Sequence, residues 1–473
     1  METNTKRPNL IYVFADQLRY QSCGFAGDAK AITPNIDRLA AESVNFINTT
    51  SSHPMCAPYR ASLFTGKYSS STGMVINELR INPDHHEALG QVLTEGGYAT
   101  YYIGKWHLYA NQLGHHDDPK NSFTPRGPHR LGFDGYWASY GFHHTYWDQY
   151  YHEESEEKII IPGYEPDGQT DLAIRKLREA TAADQPFALF LSLGTPHDPW
   201  RPGDVPPDYL ALFEDVEFTL PPNYKPENDP HGDQWAALNA EQRAELTAWM
   251  RVYYAMTANL DWNIGRLLAA IDEMGLREST ILVFTSDHGE MFGAQGRRAK
   301  NIFYDEAVRV PFLLRWDGHT PAGKTSDVCL NSPDIMPTLL GLLDLPIPAD
   351  VEGMDLSHAS LGQPGPEPDA ALLQGMGATA IWEDGHEWRG LRSKRYTYAT
   401  YLVDGSELLF DNLADPYQMQ NLVDDPDHAG TLQLFRDQLR ERLAEINDTF
   451  EPCTWYRDHW TEDRIILRTA TTE

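Results

Sequence analysis

Residues 9–15 read Asn-Leu-Ile-Tyr-Val-Phe-Ala, an apolar run that stops at Asp16. It is too short for a comfortable helix and lacks the polar alternation of a half-exposed strand. It therefore reads as a strand buried on both faces. Residues 98–103, 187–193 and 281–284 have the same character. Between them lie helical patterns. Thr33 is placed to cap a helix with Pro34 at its first position. A longer pattern over residues 240–274 repeats Leu246, Met250, Tyr253, Leu260, Ile264, Leu267 and Ile271 on one face. Strands alternating with helices predict an α/β sandwich around a mostly parallel sheet.

Composition turns to Pro, Gly, Asp and Ser over residues 346–368, a linker or surface excursion. Short alternating segments follow at 388–401 and 407–411, then an amphipathic pattern at 432–446. The expected division is a catalytic domain over 1–370 and a smaller α+β subdomain, with an antiparallel sheet and a helix, over 371–473.

With 38 Lys plus Arg against 69 Asp plus Glu in 473 residues, the net charge is −31, which disfavours nucleic acid and anionic membranes as partners. No stretch approaches the roughly 20 apolar residues of a membrane span. The polar start before Leu10 has no signal-peptide core, so the chain as written reads as cytoplasmic. A chain trimmed of a signal peptide would instead be periplasmic or secreted. Cys23, Cys56, Cys329 and Cys453 are too scattered for a disulfide framework or a zinc site. Nothing in the sequence bears on oligomeric state.

Ligands of open parallel sheets bind beyond the carboxyl ends of the strands. The four apolar runs end there in Asp16 and Gln17, in Lys105 and His107 of Gly-Lys-Trp-His, in His197, and in Asp287 and His288 of Asp-His-Gly-Glu. Carboxylate and amide oxygens with one imidazole suit a hard divalent cation better than zinc. A strand-end Asp alone is commonly a cap or turn former; two such dipeptides together point to a metal. In Cys56-Ala-Pro-Tyr-Arg60, Pro58 marks a first helical turn and Gly66 a helix end, which puts Cys56 at the positive end of a short helix near Arg60. That setting favours an anion or a thiolate.

These residues resemble a family. Cys-Ala-Pro-Tyr-Arg, extended by Ala-Ser-Leu-Phe-Thr-Gly-Lys-Tyr, is similar to the Cys-x-Pro-x-Arg signature of the sulfatases, in the alkaline-phosphatase-like superfamily. Phe-Ala-Asp-Gln at the start, residues 33–40, Gly-Lys-Trp-His, Thr-Pro-His-Asp-Pro-Trp, Thr-Ser-Asp-His-Gly-Glu, residues 300–316, 332–340 and 409–423 extend the likeness over most of the chain. The resemblance implies an alkaline-phosphatase-like α/β sandwich and conversion of Cys56 to formylglycine by a formylglycine-generating or anaerobic maturation enzyme. It implies one calcium ion, with magnesium or manganese as alternatives, held by Asp16, Gln17, Asp287, His288 and residue 56. Gln17 stands where a second Asp is frequent, and His288 where Asn is. By the same resemblance Arg60 holds the formylglycine hydrate that attacks sulfur, and Lys105 and Lys300 bind the sulfate oxygens. His197, helped by Lys300, protonates the departing alcohol, and His107 takes the proton that expels sulfate.

Two alternatives stand beside a sulfatase. A formylglycine-dependent phosphonate monoester hydrolase or phosphodiesterase shares the Asp-Gln and Asp-His pairs, but Lys105 and His107 are of the sulfatase type. A binding module without turnover would follow if Cys56 were never modified. Residues 131–151 hold nine aromatics in 21 positions, suited either to stacking on sugar rings or to packing on the main sheet. Trp137 and Trp147, with His143 and His144 between aromatics, are candidate substrate contacts. Arg126, His129, Arg130, Arg297 and Arg298 are candidates for a second acidic group on the substrate. The expected substrate is a small sulfated carbohydrate bound in a pocket, because local cations outweigh a distant field screened over roughly 8–10 Å.

Overall fold

The structure is a computed structural model, and it describes residues 7–183 and 185–472. The polar start at residues 1–6 lies outside the described residues. Eight strands form the main sheet: β1 (Asn9–Ala15), β2 (Val44–Phe46), β3 (Ala99–Lys105), β4 (Tyr136–Tyr140), β5 (Phe187–Leu193), β6 (Thr280–Ser286), β7 (Phe312–Arg315) and β8 (Lys324–Ser326). Their order is β8-β2-β7-β6-β1-β5-β3-β4. All neighbours are parallel except at β7, which runs antiparallel to both β2 and β6.

β1 shows why its sequence is continuously apolar. Leu10, Tyr12 and Phe14 enter the core on one face of the sheet, while Ile11, Val13 and Ala15 enter the core on the other. Each fully buried side chain of this size contributes about 1.5–3 kcal/mol. The helix Ala240–Glu273 covers the second face through Tyr253, Leu260, Ile264, Leu267 and Ile271. Asn239 caps it by accepting from Gln242 N. Thr33 does precede the helix Pro34–Glu42, but its side chain does not cap it. Its hydroxyl instead accepts from Gly24 N and donates to Asp37, tying the helix to the preceding turn.

Register aligns the strand ends. Ala15 pairs with both Leu193 and Ser286, and Gly104 pairs with Ser192, so β1, β3, β5 and β6 end at one level. At Gly104 (φ 104°) an added Cβ would lie 2.0 Å from the Ser192 carbonyl oxygen, so only glycine permits this strand to sit so close.

A second, antiparallel sheet is formed by β9 (Ala370–Gly375), β10 (Trp388–Ser393), β11 (Tyr396–Tyr401) and β12 (Glu407–Asp411). Its Leu372, Leu391, Tyr398 and Leu409 pack on Leu432, Phe435 and Leu439 of the helix Ala429–Glu445. Its other face packs Leu373, Trp388, Ala399 and Phe410 against Met291, Phe303 and Tyr304. The Pro/Gly-rich excursion is anchored, not free: Glu352 N and Gly353 N donate to Gly66 O, and the Glu352 carboxylate accepts from Tyr68 N and Ser71. Among the described residues, no helix is long and apolar enough to cross a membrane.

Candidate active site

One residue beyond the paired Ala15 and Ser286 stand Asp16 and Asp287, which the register sets side by side. Cys56 opens the helix Cys56–Thr65, which ends at Gly66 in the left-handed region (φ 65°). Asn77 supplies a cap for this helix, its Oδ1 accepting from Ala57 N at 3.0 Å. Cys56 Sγ lies 3.3 Å from His288 Nε2 and 3.7 Å from Asp16 Oδ1. His288 Nε2 is 3.7 Å from Asp16 Oδ1 and 3.5 Å from Asp287 Oδ1. One ligand atom from each of these four buried residues lies within 4.8 Å of the others, an arrangement that could hold a metal ion. Burial, reinforced by the neighbouring Asp16 carboxylate, pushes the Asp287 pKa upward. Two carboxylates and an imidazole crowded out of water in this way match the donor set of a hard divalent cation, whose charge would relieve their repulsion.

Beneath the carboxylates lies Arg60, fully buried. Its guanidinium donates to the Lys105 carbonyl at 2.6 Å and Ser192 Oγ at 2.7 Å, and stands 3.4 Å from both Asp16 and Asp287. Lys105 Nζ pairs with Asp16 Oδ2. Burial favours the neutral form of Asp16, but the Lys105 ammonium and the Arg60 guanidinium beside it outweigh it and hold the carboxyl well below its usual range.

Lys300 Nζ donates to Gln17 Oε1 at 2.9 Å and lies 2.7 Å from His197 Nε2. Burial and then Lys300 depress the His197 pKa well below the ordinary value, so the imidazole is neutral and Nε2 accepts from the ammonium. His197 Nδ1 then carries the proton, 2.9 Å from the Asp198 carbonyl. His107, at φ 57°, is buried with its ring stacked on Phe142 at a centroid separation of 4.4 Å. Neither ring nitrogen of His107 finds a hydrogen-bond partner among the described residues.

A cavity of about 190 Å³ adjoins Cys56, lined by Asn77, Glu78, His116, Phe142, His144, His197, Trp235, Arg298, Lys300, Thr379 and Ala380. His144 stacks on His197 at 4.4 Å and bonds the Asp198 carbonyl. Of the candidate substrate contacts, His144 and Arg298 line this cavity and the others do not. Trp137 is core, 1% exposed and stacked on Tyr102 at 5.1 Å, because its position on β4 points into the sheet's apolar layer. Arg130 is likewise buried, bonding the carbonyls of Thr124 and Glu153 and pairing with Glu154 at 2.9 Å. His143 stacks on Tyr140 at 3.8 Å beside Glu165. Arg297 pairs with Asp229 at 3.5 Å. Trp147 donates to the Gly203 carbonyl, His129 packs edge-on against Tyr109, and Arg126 is exposed, all outside the cavity wall. The aromatic stretch thus packs chiefly as sheet core.

Sequence reasoning missed Asn77, Glu78, His116, Trp235 and Thr379. The one signal for Trp235 is a lone indole in an otherwise polar stretch, residues 227–235.

The sequence profile described as Sulfatase matches residues 8–345, and that described as N-sulphoglucosamine sulphohydrolase, C-terminal, matches residues 293–448. An ulvan-active sulfatase of Formosa agariphila is 38% identical over 95% of this chain and 84% of its own length. An endo-4-O-sulfatase of Bacteroides thetaiotaomicron is 30% identical, covering 97% of this chain and 95% of its own. A solved structure reported with the metabolism of multiple glycosaminoglycans by Bacteroides thetaiotaomicron matches with a TM-score of 0.80 at 27% identity, covering 96% of this chain and 98% of that one.

Proposed function

Because this chain belongs to the sulfatase family, we propose that it hydrolyses a sulfate ester carried on a sugar or oligosaccharide. The observation that carries this reading is the meeting of Cys56 with Asp16, Asp287 and His288 at the floor of a cavity that Lys300 and His197 also line. An ulvan-active relative and a C-terminal region like that of N-sulphoglucosamine sulphohydrolase support a carbohydrate as carrier of the ester.

Asp16, Asp287, His288 and residue 56 would hold a divalent cation such as calcium, which would supply charge against the sulfate oxygens, and the formylglycine hydrate made from Cys56 would supply the attacking hydroxyl. Gln17 Oε1 is a further neutral oxygen for the ion, engaged by Lys300 at 2.9 Å. Burial and Asp16 push the Cys56 thiol pKa up, so the unoxidised side chain stays protonated and is a weak nucleophile.

Arg60 pairs with Asp16 and Asp287 at 3.4 Å and holds the two carboxylates in place. Lys105 and Lys300 carry positive charge to the sulfate oxygens as the ester bond breaks. The Lys300–His197 pair holds the proton that the departing alkoxide takes. His107, with both ring nitrogens unpartnered, accepts the proton released when sulfate leaves. We take residues 371–473 as a subdomain that closes one wall of the cavity through Thr379 and Ala380.

The test is the mass of the peptide spanning Cys56, set against sulfate release from a sulfated monosaccharide. Activity should scale with the fraction carrying the lower-mass aldehyde form and vanish in C56A. Turnover by chains that are entirely in the thiol form would overturn the reading.

A further inference from the structure

Arg298 lines the cavity, yet among the described residues it has no ion pair and its side chain makes no hydrogen bond. Its Nε is buried without a partner. Its neighbour Arg297 is paired with Asp229. Asp198, the acid of the wall on whose carboxyl Arg298 acts through its charge, makes its ion-pair contact at 3.1 Å with His197 Nδ1 and not with Arg298. A buried guanidinium nitrogen left unpaired loses its hydration without compensation, and a ligand anion would restore it.

Trp235, 42% exposed, lines the same cavity. The backbones of these two residues are held from the nucleophile outward by a chain of bonds. Asn77 Oδ1 caps the Cys56 helix, and Asn77 N donates to the Thr379 carbonyl at 2.9 Å. Thr379 donates its hydroxyl to buried Asp233 at 2.7 Å, and the same Asp233 accepts from Trp235 N at 2.9 Å. Arg298 N in turn donates to the Ala236 carbonyl at 3.0 Å. Four segments far apart in sequence are thus tied together, and the Trp235 ring and the Arg298 guanidinium line the same cavity before any ligand arrives.

We infer that Trp235 and Arg298 form a second subsite for the sugar that adjoins the sulfated one, and that this sugar bears an anionic substituent. Trp235 offers its face to the pyranose ring, and Arg298 offers its planar fork to a carboxylate or a second sulfate. The inference rests on the sulfate-ester reading above and names the substrate class more narrowly.

The test uses three sulfated disaccharides that differ only on the adjoining sugar: a uronate, its carboxyl-reduced alcohol, and the alcohol carrying a second sulfate. The wild type should favour an anionic disaccharide over the alcohol in kcat/KM, and R298Q should lower that preference about tenfold, the worth of one charge-assisted contact. R298K, which keeps the charge but not the fork, should fall between. W235A should lower kcat/KM on all three while leaving their ratios in place. Whether the lost preference is for the uronate or for the second sulfate identifies the anion. Equal handling of all three by the wild type, or an unchanged ratio in R298Q, overturns the subsite and leaves sulfate hydrolysis standing. Failure to release sulfate from any of them, with a phosphonate monoester hydrolysed instead, overturns the underlying reading.

Discussion

Gln17 Nε2 donates to the buried carboxylate of Glu290 at 2.6 Å, which turns Gln17 Oε1 toward Lys300 at 2.9 Å. Glu290 is further fixed by accepting from Phe292 N and Ala299 N, and burial raises its pKa to about 7. An Asp at position 17 would set a second carboxylate against this one, so the amide at 17 and the acid at 290 suit each other.

The corresponding prediction concerns metal affinity. Q17D should weaken calcium binding, measured by calorimetry, by about tenfold, because the new carboxylate would face that of Glu290 in a buried site where two like charges cannot both ionise freely. The double variant Q17D/E290Q should regain most of that loss. A double variant no better than Q17D would show that the two side chains are not coupled.

Leaving-group dependence tests the pairing of His197 with Lys300. H197A should slow hydrolysis of a sugar sulfate, whose alkoxide needs a proton, by about 10²–10⁴-fold. An activated aryl sulfate, whose phenolate leaves unaided, should lose far less. Equal losses on both would remove His197 from proton delivery.

Two buried groups impose opposite pH dependences on stability. Burial, then Lys67 and His85, lowers the His86 pKa to about 3, so the fold prefers neutral His86 while the unfolded chain protonates near 6.5. Its contribution is intact above pH 6.5 and falls by about 1.4 kcal/mol per pH unit toward pH 3. H86Q should therefore gain on the wild type as pH drops through that range. Burial raises Glu165 to about 8, so the fold prefers the protonated acid, and its contribution is lost as pH rises from 4.5 to 8. E165Q should gain on the wild type over that interval. Urea unfolding at several pH values measures both, and parallel curves for wild type and variant would contradict the assignment.

Arg389 and Asp448 form a fully buried two-pronged pair at 2.6 and 3.0 Å beneath the second sheet. Removing one partner leaves the other charge buried alone, so D448A should lose about 3–5 kcal/mol in urea unfolding. A loss below about 1 kcal/mol would mean that water reaches Arg389 in the variant.

Much of the sheet is readable from residues 9–15 and their counterparts, because a strand buried on both faces must be apolar at every position. Strand ends are readable for the same reason: Asp16, His197 and Asp287 follow apolar runs at the carboxyl edge of the sheet. Cys56 and Arg60 are readable through Pro58 and Gly66, which bound their helix. The cavity walls are not. Asn77, Trp235 and Thr379 come together only through Asp233 and backbone bonds between distant loops, which leave no spacing in the chain. The aromatic stretch misleads for a different reason. An indole has the same composition value in a core as on a sugar platform, and only the alternation of β4 settles that Trp137 faces Tyr102.

The most direct measurement compares kcat/KM for a sulfated sugar with that for a phosphonate monoester, using protein in which residue 56 is shown by mass to be the aldehyde. Sulfate release should exceed phosphonate hydrolysis, and both should disappear in C56A. A clear preference for the phosphonate would contradict the assignment of sulfate-ester hydrolysis to this site.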